Sequence, residues 1–395
     1  MLQKREVGIG IACVLVAGLL GIGSACMDSA ASGGSMTMGE GDIPLFEVDP
    51  LFPRPLPNHW VMGSTIGVDV DSREHVWVIH RQATLAGGEI GGVGDPPQYE
   101  CCVPAPPVLE FDAEGNLVGS WGGPGDGYDW PESNHGITVD HMDNVWIGGN
   151  GVRDSHILKF TRDGQFLMQM GQAGQRAGSN SREHFWRVAE ISIDPSANEA
   201  YVADGYGNKR VAVLDVETGE MKRFWGAYGN VPDDSALPPY SPDAPPAQQF
   251  RSPMHCAQPS LDGLVYACDR AGDRIQVFQP DGTFVKEGFI APQTLGSGSA
   301  WDIAFSHDAD QTFIYLADGA NQNVHILNRE TLEVLSEFGD GGRQPGQFFG
   351  VHSIAVDSQG NIYTTETYEG KRLQKFVFMG YGSAPAVQGV IWPTG

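Results

Sequence analysis

The chain has 395 residues, 41% of them hydrophobic and 10% aromatic, with 53 glycines, 26 prolines and a formal net charge of −25. That is ample for a large core, and so much glycine and proline suits an all-β repeat protein better than a helical one. A chain this acidic repels phosphate, which argues against nucleic acid and anionic membrane surfaces as partners and assigns the charge to solvated acidic loops.

Residues 1–26 read as a bacterial export signal. Lys4 and Arg5 begin it, IGIACVLVAGLLGIG is its apolar stretch, and GSAC closes it with small residues. Cys26 is either a lipid-bearing cysteine or the residue after simple cleavage at Ala25. Residues 27–58 read as a flexible tether and lead-in, and 381–395 as a C-terminal tail, either loose or the strand that closes a ring. The expected location is outside the cytoplasm: periplasmic, anchored by a lipid at Cys26, or extracellular.

Between them, 59–380 repeats one pattern six times. The first strands are GVDVD, GITVD, EISID, CAQPS, DIAFS and SIAVD, beginning at residues 67, 136, 190, 256, 302 and 353. Their partners are HVWVIH, NVWIGG, EAYVAD, LVYACD, FIYLAD and NIYTTE. Two further strands complete each copy, as in HILKF and, after an Asp-Gly turn, QFLMQMG. One four-stranded sheet cannot bury both faces alone. Six packed radially about an axis can, so the pattern predicts a six-bladed β-propeller with four-stranded blades. Insertions at 82–108, 172–189 and 227–251 are expected over one mouth of its channel.

Outside the leader the cysteines are Cys101, Cys102, Cys256 and Cys268. If Asp262 centres its turn, Cys256 and Cys268 face each other across adjacent strands, and export permits a disulfide there. The sequence assigns no role to adjacent Cys101 and Cys102.

The residue before each first strand is, in order, Ile66, His135, Ala189, His255, Trp301 and His352. Histidine takes every second place. In a six-bladed ring those blades are 120° apart, so three imidazoles converge on the axis at one level. A three-histidine set with open positions is the pattern of a catalytic zinc site. A lone histidine at a strand end is usually only a satisfied polar residue; the alternation is what lifts these three above that reading. The other eight, including His59, His141, His156 and His325, share no register and read as surface or core. Asp204, Asp269 and Asp318 recur as turn caps, and Arg210, Arg274 and Arg372 as glue between blades. Tyr206, Arg270 and Arg81 are not general to the repeat and fall on loops of the histidine face, which makes them candidates for chemistry.

DGYGNKRVAVL, DRAGDRIQVF and ETYEGKRLQKF carry the pattern of NHL-type blades. Over residues 60–378 the chain resembles the catalytic domain of peptidyl-α-hydroxyglycine α-amidating lyase, through HGITVD, DGYGNKRV, SPMHC, DRAGDRIQVF, GVHSIAVD and VIHR. The resemblance implies zinc on His135, His255 and His352, and a catalytic set of Tyr206, Arg81 and Arg270. It implies cleavage of an N–C bond at a hydroxylated carbon, giving a peptide amide and glyoxylate. In that reading Tyr206 is the general base. A phenol's ordinary pKa near 10 requires a nearby cation for the task, with Arg81 the candidate and Arg270 left to grip the substrate carboxylate.

The chain departs from the family in three ways. The family has an aspartate after the third histidine that helps hold calcium. Ser353 stands there, leaving main-chain carbonyls near Val68 and Ile137, which alone make a weak hard-cation site. Gly207 stands in the tyrosine loop where the family has a disulfide cysteine. The copper monooxygenase that makes the hydroxyglycine is not in the chain, so a different carbinolamide is a candidate substrate. The expected partner is a peptide or small molecule, met by a monomer. The main rival is a non-catalytic NHL propeller serving as a protein-interaction scaffold at the cell surface or in the periplasm. A calcium-dependent lactonase-like propeller needs acidic and amide ligands where the aligned ring shows histidines.

Overall fold

Each repeat folds as a meander because its second strand is apolar on both sides and must be covered by neighbours on both edges. In the computed structural model, which describes residues 38–393, the protein is a six-bladed, all-β propeller. The innermost strands are Ser64–Val70, Asn134–Val139, Glu190–Asp194, Met254–Pro259, Asp302–Phe305 and Val351–Val356. Each pairs antiparallel with a second strand: Val76–Arg81, Asn144–Gly149, Glu199–Asp204, Val265–Asp269, Phe313–Asp318 and Ile362–Glu366. Third and fourth strands complete each blade on the outside.

One aromatic side chain recurs at the same place in every second strand: Trp77, Trp146, Tyr201, Tyr266, Tyr315 and Tyr363, all almost wholly buried. Their polar tips explain why they can stay there. Trp77 and Trp146 donate to Asp71 and Asp140 at 2.8 and 2.9 Å, Tyr201 to Glu199 at 3.1 Å and Tyr363 to Asp357 at 3.0 Å. In these four the large ring fills the core while its heteroatom is satisfied by a carboxylate of the same blade.

The ring is closed by the lead-in, not by the tail. Ile43–Asp49, inside the stretch read from sequence as tether and lead-in, is the outermost strand of blade six and pairs with Leu373–Gly382. Phe46 anchors it against Tyr315, Phe338 and Phe378, with centroids 5.4, 5.7 and 5.9 Å away. The segment after Gly382 runs along the edge of blade five instead. Glu337 N donates to Ala386 O and Gly339 N to Gly389 O, and the tail then reaches the lead-in strand of blade six, where Val48 N donates to Ile391 O. The export signal, with Cys13 and Cys26, lies outside the described residues.

Antiparallel order puts the link between second and third strands, and the link from one blade to the next, on the face where the inner strands begin. The three insertions therefore all rise on the histidine face. The recurring arginines hold them down. Arg210 pairs with Asp204 at 2.9 Å and donates to Ser179 O and His184 O. Arg274 pairs with Asp269 at 2.9 Å and donates to Ala247 O. Their carboxylate partners belong to the same blade, so the glue runs between a blade and its incoming connection.

Cys256 and Cys268 are bonded across paired positions, with Cα atoms 4.8 Å apart, and Cys101 is bonded to Cys102. Both bonds are consistent with an exported protein. Among the described residues no helix is long and apolar enough to cross a membrane.

Phe46→Ala should lower unfolding free energy by about 3–5 kcal/mol, the usual cost of emptying a buried phenylalanine site. Urea unfolding measures it. A loss under about 1 kcal/mol would mean that the strand is not an integral part of blade six.

Candidate metal centre and active site

His135, His255 and His352 meet on the channel axis. Their ring centroids are 5.2, 4.8 and 4.9 Å apart in pairs, and each is 2–3% exposed. Each sits at a one-residue register shift where its inner strand begins, so the side chain turns to the axis instead of alternating with the pleat. Gly136 permits this after His135: its φ is +71°, and a Cβ there would stand 2.9 Å from Ala189 O.

The outer nitrogens settle the tautomer. His135 Nδ1 lies 2.6 Å from Ala189 O and His255 Nδ1 lies 2.6 Å from Trp301 O. A carbonyl only accepts, so Nδ1 carries the proton and Nε2 presents its lone pair to the axis. His352 Nδ1 instead meets Ser353 Oγ at 3.1 Å, and Ser353 Oγ donates to Ile66 O at 3.3 Å. Ala189, Trp301 and Ile66 are the register positions of the odd blades. The even blades thus supply imidazoles, and the odd blades supply the carbonyls that orient them. Burial first, then the nearby arginines or fellow histidines, holds all three imidazoles well below the ordinary histidine pKa.

Three neutral imidazoles with ligand atoms within 4.8 Å of one another form a fitting donor set for a transition metal. Tyr206 Oη lies 3.2 Å from His135 Nε2 and 3.1 Å from His255 Nε2. One phenolic proton cannot serve two lone pairs at once. Among the described residues His352 Nε2 has no hydrogen-bond partner on the protein. The protein therefore leaves its inward nitrogens under-satisfied, as a cation-binding set requires.

Tyr206 is positioned by its own backbone. Tyr206 N donates to Arg187 O at 3.2 Å, Gly207 N and Asn208 N donate to Trp186 O, and Ser252 Oγ donates to Tyr206 O at 2.8 Å. Gly205 lets the loop approach blade four, since a Cβ there would stand 1.8 Å from Met254 O. At Gly207 the Trp186 ring occupies the space a side chain would need, at 2.4 Å from its Cβ position. Packing against Trp186 thus stands where the sequence comparison placed a disulfide.

Arg270 is the cation in direct contact with Tyr206. Its Nη1 donates to Oη at 3.1 Å, its Nε donates to Ser297 O at 3.0 Å, and its guanidinium stacks 4.3 Å from the Trp301 ring. Arg81, expected from sequence in that place, is held farther out: Nε donates to Asn134 O and Nη2 to Asn150 Oδ1 at 2.9 Å. Sequence reasoning missed Asn150 and Arg187. Arg187 Nε donates to Asn150 O at 2.7 Å and its guanidinium carbon lies 5.8 Å from the Tyr206 ring. Neither residue falls in a repeat register, and Arg187 lies in an insertion.

Farther down the channel, Asp69, Glu190 and Asp302 bring one carboxyl from each odd blade. Burial pushes Asp69 and Asp302 up to about 7, and Glu190 well above its ordinary value. Asp69 accepts from Val139 N at 2.7 Å and Asp302 from Ile354 N at 3.0 Å, so each clamps the next blade. Ser353, at the position of the family's calcium aspartate, is engaged in the His352 relay.

No family model matches the chain. A Drosophila melanogaster peptidyl-α-hydroxyglycine α-amidating lyase 1 is 28% identical over 270 residues, 63% of this chain and 46% of that protein. The chain is similar to amidating lyases. NHL repeat-containing protein 3 of Mus musculus is 25% identical over 302 residues, 74% of this chain and 70% of that protein. The chain thus spans about half the length of the lyase it matches, and is a propeller related to proteins of peptide amidation. The structure of a streptogramin B lyase superposes with a TM-score of 0.51 at 12% identity, covering 85% of this chain and 98% of that one, which shows the fold alone.

The raised carboxyl pKa values carry a sign. Native Asp69 and Asp302 keep protons that the unfolded chain releases, so their contribution to stability is present at low pH and is lost as pH rises from about 4 through 7. In melts with chelator, the melting temperature of Asp302→Asn minus that of the parent should grow from pH 5 to pH 8. A difference independent of pH would contradict the perturbed carboxyl.

Proposed function

We propose that the protein is a zinc-dependent lyase that cleaves the N–C bond of a carbinolamide such as peptidyl-α-hydroxyglycine, giving an amide and glyoxylate. The observation that carries this reading is the placement of Tyr206 Oη against the Nε2 atoms of two converging histidines. His135, His255 and His352 would hold a zinc ion, which when bound would supply Lewis-acid chemistry to a substrate hydroxyl.

The chain's own residues do the rest. Tyr206 Oη stands beside any hydroxyl group held at the three nitrogens and takes its proton. The oxygen's electron pair forms the carbonyl, the C–N bond breaks, and the proton passes from Tyr206 Oη to the departing amide nitrogen. Atoms and electrons then balance, with amide and glyoxylate as the only products. Tyr206 Oη must be deprotonated before the first transfer and is so again after the second, and Arg270 Nη1, which donates to Oη, is the group placed to stabilise that charge. Arg81 Nη1 and Arg270 Nη2 have no protein acceptor among the described residues and remain for the substrate carboxylate. Arg81 grips the substrate without touching Tyr206, and Arg270 both supports Tyr206 and grips the substrate.

The protein acts outside the cytoplasm, as a monomer, on a peptide or small molecule. A scaffold role is the reading to adopt if the histidines bind no metal.

Two substitutions separate metal binding from chemistry. His255→Ala should lose most bound zinc and, with it, turnover of synthetic peptidyl-α-hydroxyglycine. Tyr206→Phe should keep zinc and melting temperature but lose roughly 10²–10⁴ in turnover, the worth of a positioned base. Zinc content and glyoxylate release are read on the same preparations. Full turnover by Tyr206→Phe would remove the base assignment, and stoichiometric zinc in His255→Ala would remove the metal site.

A further inference from the structure

Three guanidinium groups, from Arg81, Arg187 and Arg270, surround the histidines of a chain whose net charge is −25, and among the described residues no carboxylate forms an ion pair with any of them. Asp154, a carboxylate whose charge bears on Arg81, is turned into the backbone amides of Glu132, Ser133 and Gly151. Elsewhere the buried arginines are paired: Arg210 with Asp204, Arg274 with Asp269. Arg270 is only 7% exposed. A guanidinium withheld from water without a counter-charge is costly, and its ordinary compensation is an anion.

A carbinolamide with one carboxylate occupies two of the three, Arg270 and Arg81. Arg187 is surplus to that chemistry. Its Nε is committed to Asn150 O, while both Nη groups have no protein acceptor among the described residues. Its guanidinium carbon is 5.8 Å from the Tyr206 ring centroid and that of Arg270 is 5.6 Å from the same centroid, so the two can be no farther apart than the sum of these distances. That span suits two carboxylates on adjacent residues of one ligand. Arg187 also keeps a left-handed backbone, φ +61°, uncommon for a residue with a side chain, while its carbonyl holds Tyr206 N.

We propose that Arg187 reads a second anionic group, so that the preferred substrate is acidic, with a carboxylate on the residue next to the reacting hydroxylated carbon. The proposal rests on the lyase reading for the word substrate, but not for the anion site itself. A charge-assisted contact at a half-buried guanidinium discriminates by about 10- to 100-fold.

The test uses the full zinc-loaded chain in two arms. In the first, peptidyl-α-hydroxyglycines with Asp or Asn before the hydroxyglycine are compared. The parent should favour Asp at least tenfold in kcat/KM, mainly through KM. Arg187→Gln should remove that preference, and Arg187→Lys should keep part of it. Equal use of both substrates by the parent, or an equal loss on both in Arg187→Gln, overturns the proposal. The second arm measures binding of succinate and acetate by calorimetry and needs no turnover, so it stands even if neither peptide is cleaved and the lyase reading fails. Succinate should bind at least tenfold more tightly than acetate in the parent, and Arg187→Gln should abolish the difference. Equal binding in the parent, or a preference that survives Arg187→Gln, overturns the proposal.

Discussion

The site depends on one repeated bond. In blades two and four an imidazole Nδ1–H is held by the carbonyl at the equivalent position of the next blade. Blade six does the same through the Ser353 hydroxyl. These contacts fix tautomer and ring orientation together, and they are made between blades. They therefore hold only if the ring closes with the six inner strands at one level. Closure is supplied by Ile43–Asp49, at the far end of the chain from the strand it pairs with. A bond at the centre and a strand at the rim are thus parts of one mechanical unit.

Around this centre the charges are arranged against the chain's overall sign. Guanidinium groups ring the histidines, while carboxyl groups are gathered lower in the channel on the odd blades. The separation matters for chemistry. Positive charge at this level favours an anionic ligand, and carboxylates there would cancel that effect. Asp69 and Asp302 instead accept backbone N–H groups of neighbouring blades, at a cost in stability that grows as they ionise.

Much of this was legible in the sequence because the repeat carries it. The aromatic at the third place of each partner segment marks the blades, and the alternation of His135, His255 and His352 marks the axis. Cys256 and Cys268 follow from one turn. What escaped had no register. Asp69 stands three residues after its register position but Glu190 and Asp302 only one after theirs, so no alignment of repeats shows them as a set. Arg187 and Asn150 lie in connections, where spatial neighbours are not sequence neighbours. Arg270 rather than Arg81 touches Tyr206, because Arg81 is drawn to Asn134 O and Asn150, contacts that only folding creates. The ring-closing strand sits in a stretch whose composition resembles a lead-in, and its partner is more than three hundred residues away.

The central claim is that three buried, neutral imidazoles are a metal centre. X-ray absorption at the zinc edge, on protein purified without added metal and then loaded with one equivalent of zinc, tests it most directly. The account predicts a nitrogen-rich shell including three imidazoles at about 2.0–2.1 Å, with no sulfur ligand. Zinc that fails to bind stoichiometrically, or a shell with sulfur at about 2.3 Å, would contradict it.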